Sequence, residues 1–391
     1  MGVGSSASLK PNLAVAAVVA LLGAATLLHN PLSGNGLYTD IIGFFWHDFA
    51  EKGLTPYLDR GADGAPFEYP FLAGAISILA WKAGGDLTGF YIIYSAIMML
   101  FGAVMAYAAY KLSENTSYTL TYLAAPSLVV YGIYGYDVMF AALIALSVLA
   151  FIRGRYVLSA VLLALGFHTK LISVLFLPYA IIKLKGKERR LYLAAFAAVA
   201  IVPALFMPEA FMDVIKQQTT WSLENAWYVH IFPDAATPVG PNPVAGTTTA
   251  VLFGSIGMAI LYLYVLRSGL RPEHFMLLAT SAYLLFTPRY SPQTSIMLLP
   301  FLPAAGVLLP TYPIWEVANA AILLTWFTTQ SPHLPWSLPQ TMSLLRFAAL
   351  AVIFAQSLHA VGLLKLEEKK QQWTVAGAVN TFRRWFLRER V

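Results

Sequence analysis

With 391 residues, 58% of them hydrophobic and only 11% charged, this chain carries more apolar surface than a soluble core can bury. The mean hydropathy of +0.65 excludes an ordinary soluble enzyme, and the lack of any cysteine excludes disulfides, thiolate metal sites and a cysteine nucleophile. The net charge of +6 does not point to nucleic acid, because the basic residues fall in short loops between apolar stretches, as the positive-inside rule requires.

The first apolar run, 11–29, follows Lys10 and is long for a signal core, with no small-x-small site after it. It reads as an uncleaved anchor. The next stretch, 30–89, is unlike the rest. It contains "LYTDIIGFFWHDF" (37–49) and "FEYPFLAG" (67–74), and gathers Asp40, Asp48, Glu51, Asp59, Asp63 and Glu68, six of the 19 acidic residues. A short helix is expected over 41–52 and another over 70–83. The second is roughly 21 Å long, too short for a comfortable span. If 70–83 and 90–110 both crossed, Lys111 and every later basic loop would be inverted, so 70–83 is expected to lie at, or dip into, the outer face.

Basic punctuation then recurs at Arg153/Arg155, Lys183 to Arg190, Arg267/Arg271 and Lys365 to Lys370. Between these points, pairs of crossings turn at "YGYD" (134–137), "FHTK" (167–170), the loop 208–245, "TPRYSPQ" (287–293) and 330–340. The expected fold is an all-α polytopic membrane protein, a bundle of about 12 transmembrane helices with outer-face re-entrant or juxtamembrane helices. Both termini are cytoplasmic. Residues 1–364 form one transmembrane catalytic bundle, with 30–89 as the first outer loop and 208–245 as a lid-like outer loop. Trp221, Trp227 and Tyr228 in that loop fit a lid over a sugar or an interfacial aromatic belt. Residues 365–391, where Trp373, Phe382, Trp385 and Phe386 alternate with arginines, read as an amphipathic tail on the anionic leaflet.

This topology gathers polar residues on the outer face: the six acids, Asp137, His168, Lys170, Glu224, His230, Asp234 and Arg289. Asp40 sits among Tyr38, Ile41, Phe44 and Phe45, which disfavours its charged form and suits a general base near neutral pH. The alternative is a helix-capping aspartate. Asp48, about two helical turns on, is the second candidate, though it and Glu51 also read as solvated residues. Glu68, with Tyr69 and Pro70, opens the short helix, where an acid is favoured by the helix dipole. Asp137 reads as an N-cap or a site residue. Lys170 is too far from the next basic loop to snorkel and needs an anion or a cavity. A lysine is a good point-charge partner for phosphate; His168 beside it is either an assistant or a structural histidine. Arg289, Tyr290 and Gln293 fall at a helix break between prolines, and Arg346 lies in the last helix; both arginines are candidate phosphate ligands.

No Walker loop, dinucleotide fingerprint or HExxH is present. An outer-face reaction without soluble nucleotides draws on an activated lipid. Lys170 and Arg289 would hold its phosphate, and Asp40 would deprotonate the acceptor hydroxyl as it attacks the anomeric carbon with inversion.

The ordered motifs "YTDI", "PYLD…FEYP", "YGYD", "LGFHTKLISVLFLP" and "YSPQ…LLP" resemble the GT-C superfamily of polyprenyl-phosphate-sugar-dependent glycosyltransferases. They are most similar to actinobacterial and archaeal mannosyltransferase-like membrane proteins, and more distantly to the first mannosyltransferase of GPI anchors. The resemblance runs from about residue 37 to 303. It implies a lipid-phosphate sugar donor, a lipid-linked or glycan acceptor, mannose as the sugar, and Asp40 as the catalytic aspartate. Three positions depart from the pattern: Ile42 replaces the second acid of a DxD, Thr294 replaces a tyrosine, and Gly135-Tyr136-Asp137 keeps only the acid of NWD. No cofactor is expected; a divalent metal would be an exception. A transporter or flippase of lipid-linked sugars, or a non-catalytic subunit of a glycan-assembly complex, stays open as the alternative.

Overall fold

The computed structural model describes residues 6–33, 36–62, 64–219, 223–233 and 244–364. Asp63, Trp221, Asp234, the run 237–243 and the tail 365–391 lie outside the described residues. Among the described residues the regular elements are all helices, joined by loops that carry two isolated β-bridges, Pro56–Asp59 and Glu224–Arg289. The chain runs α1 (Ser6–Leu28), α2 (Phe71–Gly84), α3 (Leu87–Ser113), α4 (Thr116–Leu123), α5 (Pro126–Tyr131), α6 (Asp137–Ile152), α7 (Tyr156–Phe167), α8 (Leu177–Lys183) and α9 (Gly186–Ala200). It continues with α10 (Val202–Phe206), α11 (Pro208–Thr219), α12 (Val244–Arg267), α13 (Pro272–Phe286), α14 (Tyr312–Trp326) and α15 (Leu338–Ala360).

Helix α6 is apolar all round, and all but Leu146 and Ile152 of it are buried, as a helix without a polar face must be. It packs against α3 on one side and α7 on the other; α1 and α2 lie on α3, and α9 on α7. The pairs α12–α13 and α14–α15, with α13 against α15, complete the bundle. By length and composition four of the described helices can each cross a membrane: Pro11–Ser33, Leu87–Ser113, Thr248–Arg267 and Leu338–Ala360. Phe71–Gly84, Asp137–Ile152, Tyr156–Phe167 and Leu171–Lys183 are apolar but shorter. Prolines open α5, α8, α13, α14 and α15 within their first turn, where the missing N–H costs nothing.

At the α2–α3 corner, a Cβ on Gly84 or Gly89 would overlap the other's backbone, and Gly85 between them takes a φ of +77° that only glycine adopts freely. The expected helix over 41–52 is not one helix. A π-helical turn, Ile41–His47, is followed by a 3₁₀ turn, Ala50–Lys52.

Candidate functional site

The connections that carry the acids meet at one end of the bundle. His29, just past α1, reaches the carbonyl of Val130 with one ring nitrogen (2.8 Å) and those of Leu37 and Tyr38 with the other (both 3.1 Å). Tyr94 of α3 donates to the Gly135 carbonyl (2.7 Å), and Ser77 of α2 pairs with the Tyr136 hydroxyl (2.7 Å), so two helices fix the turn before α6. The His168 carbonyl accepts from the N–H of Leu72 (2.7 Å), tying the end of α7 to the start of α2.

Asp40 lies at the centre of this group, 6% exposed. It opens the π-helical turn but makes no capping hydrogen bond. Thr39 does that work instead, its hydroxyl accepting from the N–H of Ile41 (3.2 Å) and donating to the Tyr134 carbonyl (2.9 Å). The Asp40 carboxylate is left free to face inward, where it accepts the Tyr69 hydroxyl (2.7 Å), the Tyr134 hydroxyl and, at 3.5 Å, the Gln293 amide. Burial pushes its pKa up to about 6, partly offset by the two tyrosines and the Arg289 charge. Glu68 is half-buried nearby; burial, then repulsion from Asp40, raises its pKa to about 7. Glu68 stands before Pro70, the cap of α2, so it is not in the helix's first turn and the helix dipole does not account for it.

Two ion pairs flank the group. Asp137, first residue of α6 and 2% exposed, accepts Lys170 Nζ at 2.6 Å; that ammonium also donates to the Thr294 hydroxyl at 3.2 Å. Asp137 is therefore more than a cap, and Tyr136 holds the cap position. Arg289 Nε stands 3.4 Å from Glu224, with both side chains 30% exposed, and the Tyr290 N–H donates to the Glu224 carbonyl (3.1 Å). Arg289 draws down the pKa of both Asp40 and Glu68, and Glu224 works against it. The arrangement is an enclosed carboxylate with a partly open guanidinium beside it, suited to accepting a proton next to a developing negative charge.

Glycosyltransferase family 87 has a sequence model that matches residues 67–288, more than half of the chain. The chain belongs to that family. It is a membrane glycosyltransferase, which uses a sugar donor and an acceptor, and this sets the transporter reading aside. No curated protein matches the chain. The matched stretch takes in Glu68, Tyr69, Asp137, His168 and Lys170. Asp40, Arg289 and Gln293 lie outside it and join the group only through the fold.

The structure sorts the remaining candidates of this transferase. Of the acids in the first loop, Glu51 pairs with His47 in solvent (3.1 Å), and Asp59 closes a turn by accepting the Thr55 N–H (2.7 Å). Asp48 is half-buried, and its charge is felt at Tyr38 after those of Asp40 and Glu68. The His168 ring binds the Val199 carbonyl (3.1 Å) and packs edge-on against Phe71. Arg346 is fully buried, and its guanidinium donates to Asn319 Oδ1 (2.7 Å) and to the carbonyls of Asn225 (2.5 Å) and Tyr290 (2.8 Å), 3.5 Å above the Tyr290 ring. It ties the segments that carry Glu224 and Arg289 to α14 and α15. Trp227 donates to the Leu285 carbonyl (3.0 Å) and stacks on Tyr228, which anchors that part of the loop 208–245 on α13. Sequence reasoning missed Tyr134 and Thr294 as members of the group, and placed Glu224 on the outer face without giving it a role. The available signal for Tyr134 was its place in the same tight turn as Asp137.

Proposed function

We propose that this glycosyltransferase moves a sugar, mannose by family resemblance, from a polyprenyl-phosphate donor to a lipid-linked or glycan acceptor on the extracytoplasmic face, with inversion. The observation that carries the reading is Asp40: a carboxylate freed from capping, enclosed, held by two tyrosine hydroxyls, and poised near pH 6 beside Arg289. The side assignment rests on charge. Helices α3 and α6 start at the acid end, so their far ends place Lys111, Arg153 and Arg155 opposite, where Lys183 also meets the Gly269 carbonyl (3.4 Å). The basic end is cytoplasmic by the positive-inside rule. About twelve crossings, some of them built from consecutive short helices, fit this arrangement.

In the step itself, the acceptor hydroxyl attacks the anomeric carbon while Asp40 takes its proton. The bond from that carbon to the phosphate oxygen breaks, and the polyprenyl phosphate leaves with the electron pair. Arg289 and, more deeply, Lys170 supply positive charge to the departing phosphate. Tyr69, Tyr134 and Gln293 aim the Asp40 carboxylate, and Glu68 is placed to bind sugar hydroxyls. Nothing beyond donor and acceptor is needed to balance the step.

The deciding experiment is transfer from labelled polyprenyl-phosphate-mannose by the purified protein in lipid, with Asp40→Asn beside it. Transfer by wild type that Asp40→Asn lowers by a factor of about 100 or more, with donor binding retained, is the expected result. Full activity in Asp40→Asn would refute the base and make Asp48 the next choice. Failure of wild type to bind any polyprenyl-phosphate sugar would refute the donor.

A further inference from the structure

Tyr57 takes no part in the step above, yet it is held under unusual constraint against Tyr69, the residue whose hydroxyl meets Asp40. Its φ is +70°, in the left-handed region that a bulky residue avoids. Such a conformation persists only where the surroundings over-determine it. Here they do. The turn "TPYLD" is closed by Asp59, whose carboxylate accepts the Thr55 N–H (2.7 Å) while its own N–H returns to the Thr55 carbonyl (2.9 Å). This swings the Tyr57 ring inward, stacked on Phe71 (4.5 Å between centroids) and edge-on to Phe67 (5.5 Å).

The phenol at the end of that ring grips main chain only. It lies 2.9 Å from the carbonyls of both Tyr69 and Pro70, to which it donates, and accepts the Gly74 N–H at 3.2 Å. A Cβ at Gly74 would overlap the phenol oxygen, so glycine there is what admits it. From the other side the His168 carbonyl holds the Leu72 N–H. The segment between these two grips carries Tyr69, whose hydroxyl sits on Asp40 at 2.7 Å.

We propose that Tyr57 is a positioning residue for the transfer: its phenol fixes the backbone of Tyr69 and Pro70 so that the Tyr69 hydroxyl stays on the Asp40 carboxylate. The strain at Tyr57 is balanced by these contacts. The proposal rests on Asp40 being the base, and its test is built to separate the two.

The measurement is the titration of the Asp40 carboxylate by isotope-edited infrared difference spectroscopy, in the full-length protein in lipid with Asp40→Asn as reference, together with the pH profile of transfer. Tyr57→Phe keeps the ring and removes the grip. It should move the Asp40 midpoint upward by about one pH unit, the size expected when a hydrogen bond to a charged group is lost. Tyr69→Phe should move it likewise, and Tyr57→Phe should add nothing in the Tyr69→Phe background, since it acts through that hydroxyl. The other groups facing Asp40, namely Tyr38, Glu68, Tyr94, Tyr134, Tyr136, Glu224, Arg289 and Gln293, are unchanged in all three proteins. A brace that only supported α2 would lower stability and leave the midpoint where it is. An unmoved midpoint, or shifts that add in the double variant, overturns the proposal. Should Tyr57→Phe fail to fold, Gly74→Ala pushes the phenol aside and must raise the midpoint in the same sense, or the proposal falls. If the midpoints behave as expected while Asp40→Asn still transfers sugar, the positioning of Asp40 stands and the base lies elsewhere.

Discussion

Replacing Lys170 by Met should destabilise the protein more than replacing Asp137 by Asn, although both remove the same ion pair. At 2.6 Å and an effective dielectric constant near 20, the attraction between the two charges is about 6 kcal/mol, much of it offset by their desolvation. A single substitution reads chiefly the charge left behind. Asp137 is 2% exposed and Lys170 19%. Lys170→Met strands a carboxylate that cannot reach water, a loss of about 3–5 kcal/mol. The value should fall at the lower end, because Asp137 opens α6 and the helix dipole favours an anion there. Asp137→Asn leaves an ammonium with access to water and to Thr294, a loss of about 1–2 kcal/mol. The double variant should recover to within about 1 kcal/mol of wild type, giving a favourable coupling energy. The assay is equilibrium unfolding in mixed micelles followed by tryptophan fluorescence. Two single losses that add in the double variant, or equal single losses, would refute the buried pair. Donor binding read on the same proteins separates the lysine's two roles: if Lys170 also holds phosphate, the double variant regains stability without regaining donor affinity.

Transfer should rise with pH through a midpoint of about 6, because Asp40 must be ionised to accept the proton and its pKa is raised to that value; a profile flat between pH 5 and 7 would argue against a carboxylate base. Two substitutions should move this limb in opposite directions. Arg289→Gln removes a cation that stabilises the charged carboxylate and moves it up, whereas Glu224→Gln removes a repelling anion and moves it down. Shifts of the same sign would contradict the charge arrangement. Arg346→Met leaves the carbonyls of Asn225 and Tyr290 without their donor in a buried site, and Asn319 Oδ1 with Ser295 alone, and should cost roughly 3–5 kcal/mol. Arg346→Lys should not rescue it, since an ammonium lacks the planar fork that reaches all three; thermal unfolding in detergent reads both.

The sequence alone determined the class of molecule, because 58% apolar residues with 11% charged leave few folds other than a helical membrane bundle. It also marked the first loop as chemical, since carboxylates are costly beside so much apolar surface, and it placed Lys170 where a lysine needs an anion. It did not show which acid turns inward. Asp40 and Asp48 both sit among aromatic residues, and a cap and a base look alike in one dimension. The decision came from partners far along the chain: Tyr69, 29 positions away, and Gln293, 253 positions away, which the bundle brings to the same carboxylate. The same is true of the cations. Sequence offered Lys170, then Arg289, then Arg346 as phosphate ligands, and only packing separated a buried tie, Arg346, from two cations paired with acids at the open end. The number of crossings was obscured because the shorter helices break at prolines and polar turns, so length and hydropathy no longer count spans. Local pattern fixes what a segment prefers; which polar group meets which is a property of helices packed side by side, and it is those meetings that set the charge at Asp40.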